Sequence, residues 1–154
     1  MGRKILGILL AGVFILTLGI ASPILGQNQA APPSDEEVKT FQVMAMINAQ
    51  FNLEIEKAAV EEIIGKLEAF RTEDAALKEK IKNWLPVLKE YQRALENLMA
   101  MFDRFINRPD VISETELQAE VVKYFSLDLN NKVIQVIQEM QASGIIEKLF
   151  PPEK

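Results

Sequence analysis

One stretch, Glu73 to Asn107, constrains the fold more than any other part of the chain. Leu77, Ile81, Trp84, Leu88, Tyr91, Leu95, Leu98, Phe102 and Phe105 recur at alternating intervals of four and three. That spacing is a heptad seam along one long helix, with Ile81, Leu88, Leu95 and Phe102 at a and the others at d. The flanking e positions hold Leu85, Gln92, Met99 and Ile106, and the g positions Lys80, Val87, Ala94 and Met101. An a/d-only seam would suit a two-stranded coiled coil. Here the apolar face widens from Leu85 onward, so the helix has to be covered from two sides. It is expected at the centre of a compact bundle rather than in an extended dimer.

Pro86 lies inside this run, at an f position. Proline removes a helical hydrogen bond and crowds the preceding turn. The seam keeps its phase across Pro86, which predicts a kink with the freed carbonyl facing water. The competing reading is a break, with Asn83 as the N-cap of a new helix.

The remaining segments supply further helices. Ser34 to Glu37 forms a capping box, followed by a helix to about Gln50 with Val38, Phe41, Met44, Ala45 and Ile47 as its apolar face. Phe51-Asn52 is expected to break the chain, with Asn52 capping a second helix that runs to about Arg71 and turns Val60, Ile63, Ile64, Leu67 and Phe70 inward. Gly65 weakens that helix or admits a close neighbour. Thr72-Glu73-Asp74 caps the central helix, and Arg108-Pro109-Asp110 ends it. Ser113 and Glu116 form another capping box, before a helix carrying Leu117, Val121, Val122, Tyr124 and Phe125. Ser126 caps the next, with Val133, Ile134, Ile137 and Met140 inward. Ser143-Gly144 interrupts it before a last turn, Ile145 to Phe150. The fold expected is all-α: an antiparallel bundle of about five helices around one long kinked helix.

Phe51-Asn52-Leu53-Glu54-Ile55 and Phe125-Ser126-Leu127-Asp128-Leu129 match in residue type at every position. A duplicated hairpin would explain this. So would the generic start of a capped helix, which is the simpler account.

Residues 1–26 have the pattern of an export signal. Arg3 and Lys4 precede an apolar stretch, and no charge occurs between Ile5 and Ser34. Cleavage is expected after Gly26, with Ala21 as the other site. Left uncleaved, residues 5–25 are long enough to anchor the chain in a bilayer. Residues 27–33 are a linker, and residues 34–154 form a single domain. Either outcome puts that domain outside the cytoplasm, periplasmic or secreted, because the positive end stays inside.

Composition removes whole classes of chemistry. The 154 residues include no cysteine and no histidine. Thiol nucleophiles, disulfides, Ser-His-Asp triads and zinc sites built on Cys or His are excluded. Of 17 basic residues, removal of Arg3 and Lys4 leaves 15 against 22 acidic ones. A nucleic-acid backbone would be repelled by that balance.

The remaining motifs carry little. Met44-Ala45-Met46 and Met99-Ala100-Met101 could suggest Cu(I), but residues two apart on a helix diverge too far to share an ion. Asp128 to Glu139 has acids at EF-hand positions, yet Lys132 and Val133 stand where an oxygen ligand and a glycine are required. Glu54, Glu56, Glu61, Glu62 and Glu68 are expected on solvated helix faces. No cofactor and no metal site is expected. Trp84, Leu88, Tyr91 and Phe102, near the kink, are the residues that would line an apolar ligand pocket if there is one.

These observations favour an exported, non-catalytic helical interaction protein, scaffold or chaperone-like, with a protein partner, no nucleic acid, and membrane contact only through residues 5–25 if they are left uncleaved. Self-association into a homo-oligomer is compatible with the same features. The alternatives are a binder of small apolar ligands near Trp84 and a membrane-anchored accessory subunit of an envelope complex.

Overall fold

The computed structural model describes residues 35–108, 114–124 and 126–151. The expected leader, the linker 27–33 and the caps at Ser34 and Ser113 lie outside the described residues. The chain is all-α, with helices and no strand among the described residues. Helix α1 spans Asp35–Ala69, α2 Ala75–Asn107, α3 Glu114–Tyr124, α4 Leu127–Ala142 and α5 Ile145–Leu149.

The seam of the long helix is realised as expected. Leu77, Ile81, Trp84, Leu88, Tyr91, Leu95, Leu98, Phe102 and Phe105 are all buried in α2. Asp74 is its N-cap and accepts from the amides of Ala76 (2.9 Å) and Leu77 (3.1 Å), an arrangement typically worth about 1 kcal/mol. The helix runs unbroken through Pro86, which is exposed. The alternative of a new helix capped by Asn83 is therefore overturned. Ile81, Trp84 and Leu88 are buried on either side of Pro86. Each contributes roughly 1.5–3 kcal/mol by burial, enough together to exceed the ~3 kcal/mol that a helical proline costs.

The expected break at Phe51-Asn52 is also overturned, because α1 is one continuous helix. Its inward residues explain why. Met46, Leu53, Val60 and Leu67 repeat every seven residues, with Ala49, Glu56 and Ile63 between them, and all but the half-buried Ala49 are buried. This second heptad seam meets the seam of α2. An N-cap at Asn52 would gain about 1 kcal/mol. Disrupting the burial of Met46 and Leu53 would lose roughly 1.5–3 kcal/mol for each.

Helices α1 and α2 form an antiparallel hairpin joined by residues 70–74. The cross-helix partners run in opposite directions: Lys57 with Glu96 at 3.8 Å, Glu61 with Gln92 at 3.1 Å, and Glu68 with Lys89 at 2.7 Å. Arg71 closes the end of α1 by donating to the Glu68 carbonyl at 2.9 Å.

Helices α3 and α4 pack against α2, and α5 reaches α1. This supplies the second covering that the wide apolar face of α2 demands. Ser126 caps α4 by accepting from the Leu129 amide at 3.2 Å. Gly144 has φ 66° and turns the chain from α4 into α5, a left-handed conformation that glycine adopts without steric cost. The Lys66 ammonium sits 4.7 Å from the centre of the Phe150 ring, joining α1 to the chain just beyond α5.

The two matching pentapeptides do not share a structure. Phe51 to Ile55 lies inside α1, whereas Ser126 is a helix start.

Candidate functional site

Two features of the hairpin depart from a plain apolar core. One lies in the seam, the other on the outside of α1.

In the seam, Glu56 stands where α1 would ordinarily place an aliphatic residue. Only 2% of it is exposed. The Tyr91 hydroxyl, itself fully buried, donates to its Oε1. Burial pushes the Glu56 carboxyl up to about 7, and the hydrogen bond from Tyr91 partly offsets this. Burial, and then the neighbouring Glu56 carboxylate, push the Tyr91 phenol well above its usual range. Around this pair runs a polar belt. Lys57 bridges Glu61 at 2.7 Å, and Gln92 joins Glu61 across the hairpin at 3.1 Å. The bond to Lys57 holds the Glu61 carboxyl below the usual carboxylate range. Glu56 was expected on a solvated face with its neighbours; Glu54, Glu61, Glu62 and Glu68 are exposed, but Glu56 is not. The signal that could have found it is the seven-residue repeat of Met46, Leu53, Val60 and Leu67, which places Glu56 at the intervening seam position.

On the outside of α1, Met44, Ile47, Phe51 and Ile55 are 59%, 50%, 62% and 39% exposed. Their spacing of three, four and four puts them on one helix face, opposite Met46, Leu53 and Val60. Met44, Ala45 and Ile47 were expected to face the core, and the structure turns them outward. Physically, α1 is apolar on both sides over this length, and α2 can cover only one. Further along the same face stand Ala58, Glu62, Gly65 and Ala69, so the large apolar residues stop after Ile55. Val122 and Leu127 are also exposed, beside the junction of α3 and α4.

The four residues singled out as a possible pocket lining are core residues. Trp84 and Leu88 are 1% exposed, and Tyr91 and Phe102 are 0% exposed. Trp84 donates through Nε1 to Oε2 of Glu139 at 2.7 Å, tying α2 to α4. An open groove of about 440 Å³ lies elsewhere, at the turn between α1 and α2, lined by Phe70, Arg71, Thr72, Glu73 and Lys78.

The methionine pairs diverge as helix geometry requires. Met46 is buried while Met44 is exposed, and Met101 is buried while Met99 is half-buried. Among the described residues, no group of three or more Asp or Glu side chains is placed to hold a metal ion. No helix among the described residues is long and apolar enough to cross a membrane.

Comparison with protein-family models, with curated proteins and with solved structures returned no match for this chain.

Proposed function

We propose that this chain is an exported, non-catalytic helical interaction protein, scaffold or chaperone-like, that offers the outer face of α1 to a protein partner. The observation that carries this reading is the row Met44, Ile47, Phe51 and Ile55. Four large apolar side chains stand exposed in one line on a helix whose other face is already packed. Contiguous apolar patches on a protein surface mark interaction sites more often than isolated apolar residues do. An amphipathic helix face of this spacing is also a common mode of helix recognition.

The export pattern of residues 1–26 supplies the compartment. Retention of residues 5–25 would make the same module a membrane-anchored accessory subunit. Intact mass of the native protein distinguishes the two outcomes.

The test is site-specific photo-crosslinking in the producing cell. A photoreactive residue at Phe51 is expected to give a discrete protein adduct. The same residue at Lys82, which is 76% exposed on α2, is expected to give none. Equal labelling at both positions, or no adduct at Phe51, would remove the support for this reading.

A further inference from the structure

Glu56 divides α1 into two parts that are held differently. On the side toward the turn, Lys57 bridges Glu96, Glu61 accepts from Gln92, and Glu68 bridges Lys89 across the hairpin. The same part buries Val60, Ile63, Ile64 and Leu67, and it carries Lys66 over the Phe150 ring. On the other side, the arm of residues 35–55 rests on the core through the buried side chains of Met46 and Leu53, with Val43 and Ala49 half-buried. Glu56 stands at the boundary, in the seam and 2% exposed.

We propose that Glu56 is a proton-operated latch: with its carboxyl neutral the arm stays on α2, and with the carboxyl ionised the arm comes off α2 while the turn half of the hairpin stays closed. An ionised carboxylate out of water is costly unless a charge is paired with it. The donor that Glu56 has is the neutral Tyr91 phenol. Separating the arm from α2 brings water to the carboxylate and gives up the burial of Met46 and Leu53. Opening toward the turn would also break the three cross-helix ties and the Lys66–Phe150 contact. The arm is therefore the part that yields. Most helical stability in proteins comes from tertiary packing, so an arm that leaves α2 also frays.

The surrounding charges leave the latch to Glu56. Beside it α1 brings Lys57 and Glu61, α2 brings Tyr91 and Glu96, and α5, which also reaches α1, carries the exposed Glu147 and Lys148. The bond between Lys57 and Glu61 holds the lysine above and the carboxyl below their usual ranges. Burial, first, pushes the Tyr91 phenol well above its own. These three keep their protonation states while Glu56 titrates, and the chain has no histidine to titrate with it. Glu56 releases its proton at 4.5 in its ordinary state and at about 7 when buried. Between those values each pH unit favours the open arm by about tenfold, roughly 300-fold in all.

Amide hydrogen exchange of the purified chain, followed residue by residue from about pH 5 to about pH 8 and corrected for intrinsic rates, tests the latch. Amides from Ala49 to Leu53 are expected to lose protection by about tenfold per pH unit up to about pH 7, then to level off. They should remain about tenfold or more less protected than those from Ile63 to Leu67, whose exchange requires the whole hairpin to open. Glu56→Gln keeps an acceptor for Tyr91 and cannot ionise, so it should flatten the pH dependence while circular dichroism shows the helices intact. Arm amides that are flat with pH, as protected as the turn half, or still pH-dependent in Glu56→Gln overturn the proposal. Loss of helix in Glu56→Gln overturns it as well, because the amide stands in for the neutral carboxyl.

Discussion

The Tyr91 hydroxyl donates its hydrogen bond to the Glu56 carboxyl inside the seam between α1 and α2. Polar groups at seam positions of coiled coils commonly fix register and partner orientation at some cost in stability. Here the pair locks two long helices that could otherwise slide by a heptad. Met46, Leu53, Val60 and Leu67 on one helix and Ile81, Leu88, Leu95 and Phe102 on the other present nearly uniform seven-residue ladders.

The buried carboxyl makes stability depend on pH in a definite direction. Its pKa rises from 4.5 to about 7 on folding, so between those values the folded state holds a proton that the unfolded state has released. Stability then falls as pH rises through that window and levels off above about 7. The displacement corresponds to about 3 kcal/mol. Glu56→Gln keeps an acceptor for Tyr91 without the charge. At pH 8 it is expected to be more stable than the parent chain by up to that amount, and at pH 4.5 to differ little. Urea unfolding at the two pH values measures this. A Glu56→Gln variant with no gain at pH 8 would show that the carboxyl does not carry the cost.

Removing one member of the pair should hurt more than removing both. Tyr91→Phe leaves a buried carboxyl without its donor, which costs about 1–3 kcal/mol. Glu56→Leu takes away the acceptor of the buried phenol's hydrogen bond, with a penalty of similar size. The double variant Glu56→Leu, Tyr91→Phe restores a continuous apolar seam and is expected to be more stable than the sum of the single changes predicts. A double-mutant cycle in urea gives the coupling directly. Simple additivity would mean that the two groups do not depend on each other.

The central helix was legible because its pattern is redundant. Nine seam positions from Leu77 to Phe105 agree in period, and one proline does not mask them. The seam of α1 was not legible, for two physical reasons. Glu56 interrupts the apolar ladder, and Met44, Ile47, Phe51 and Ile55 add a second ladder on the opposite face. A local reading then sees apolar residues everywhere and takes Asn52 for a cap. Only the 33-residue partner α2 shows which ladder is buried and holds the helix through Asn52. The outer stripe was hidden for the same reason, since apolar residues are assumed to point inward. The start of α4 at Ser126 and the turn at Gly144 were legible because each rests on the chemistry of a single residue: a hydroxyl that caps and a glycine that tolerates positive φ.

Two glycines should respond oppositely to the same substitution. Gly65 is exposed within α1, and an added methyl group there would meet nothing within 4 Å. It does not mark a close helix contact, so its effect is the helix weakening alone. Gly65→Ala is expected to stabilise by up to about 1 kcal/mol. Gly144 also has open space around it, but its φ is 66°. Gly144→Ala must strain the backbone or shift the α4–α5 turn, and is expected to destabilise by about 1 kcal/mol. Thermal unfolding of both variants tests the contrast. The same sign for both would contradict the backbone argument at Gly144.

Trp84 is the sole tryptophan, so its emission reports one environment. Its indole N–H donates to Glu139 at 2.7 Å, and the Gln135 amide donates to the other oxygen of the same carboxylate at 2.8 Å. Those two bonds, Trp84 first, hold the Glu139 carboxyl below the usual carboxylate range. The sign of the linkage is opposite to that of Glu56. The contribution of Glu139 to stability is present above the ordinary carboxylate pKa and is lost as pH falls through its lowered folded value. Protonation of Glu139 also changes the charge beside the indole. Trp84 emission is therefore expected to show a small inflection below pH 4.5, the ordinary value for this carboxyl, while the helical circular dichroism is still intact. Glu139→Gln, which keeps an acceptor but cannot titrate, should abolish that inflection. An inflection that survives in Glu139→Gln, or that coincides with loss of helix, would assign the change to another group or to unfolding.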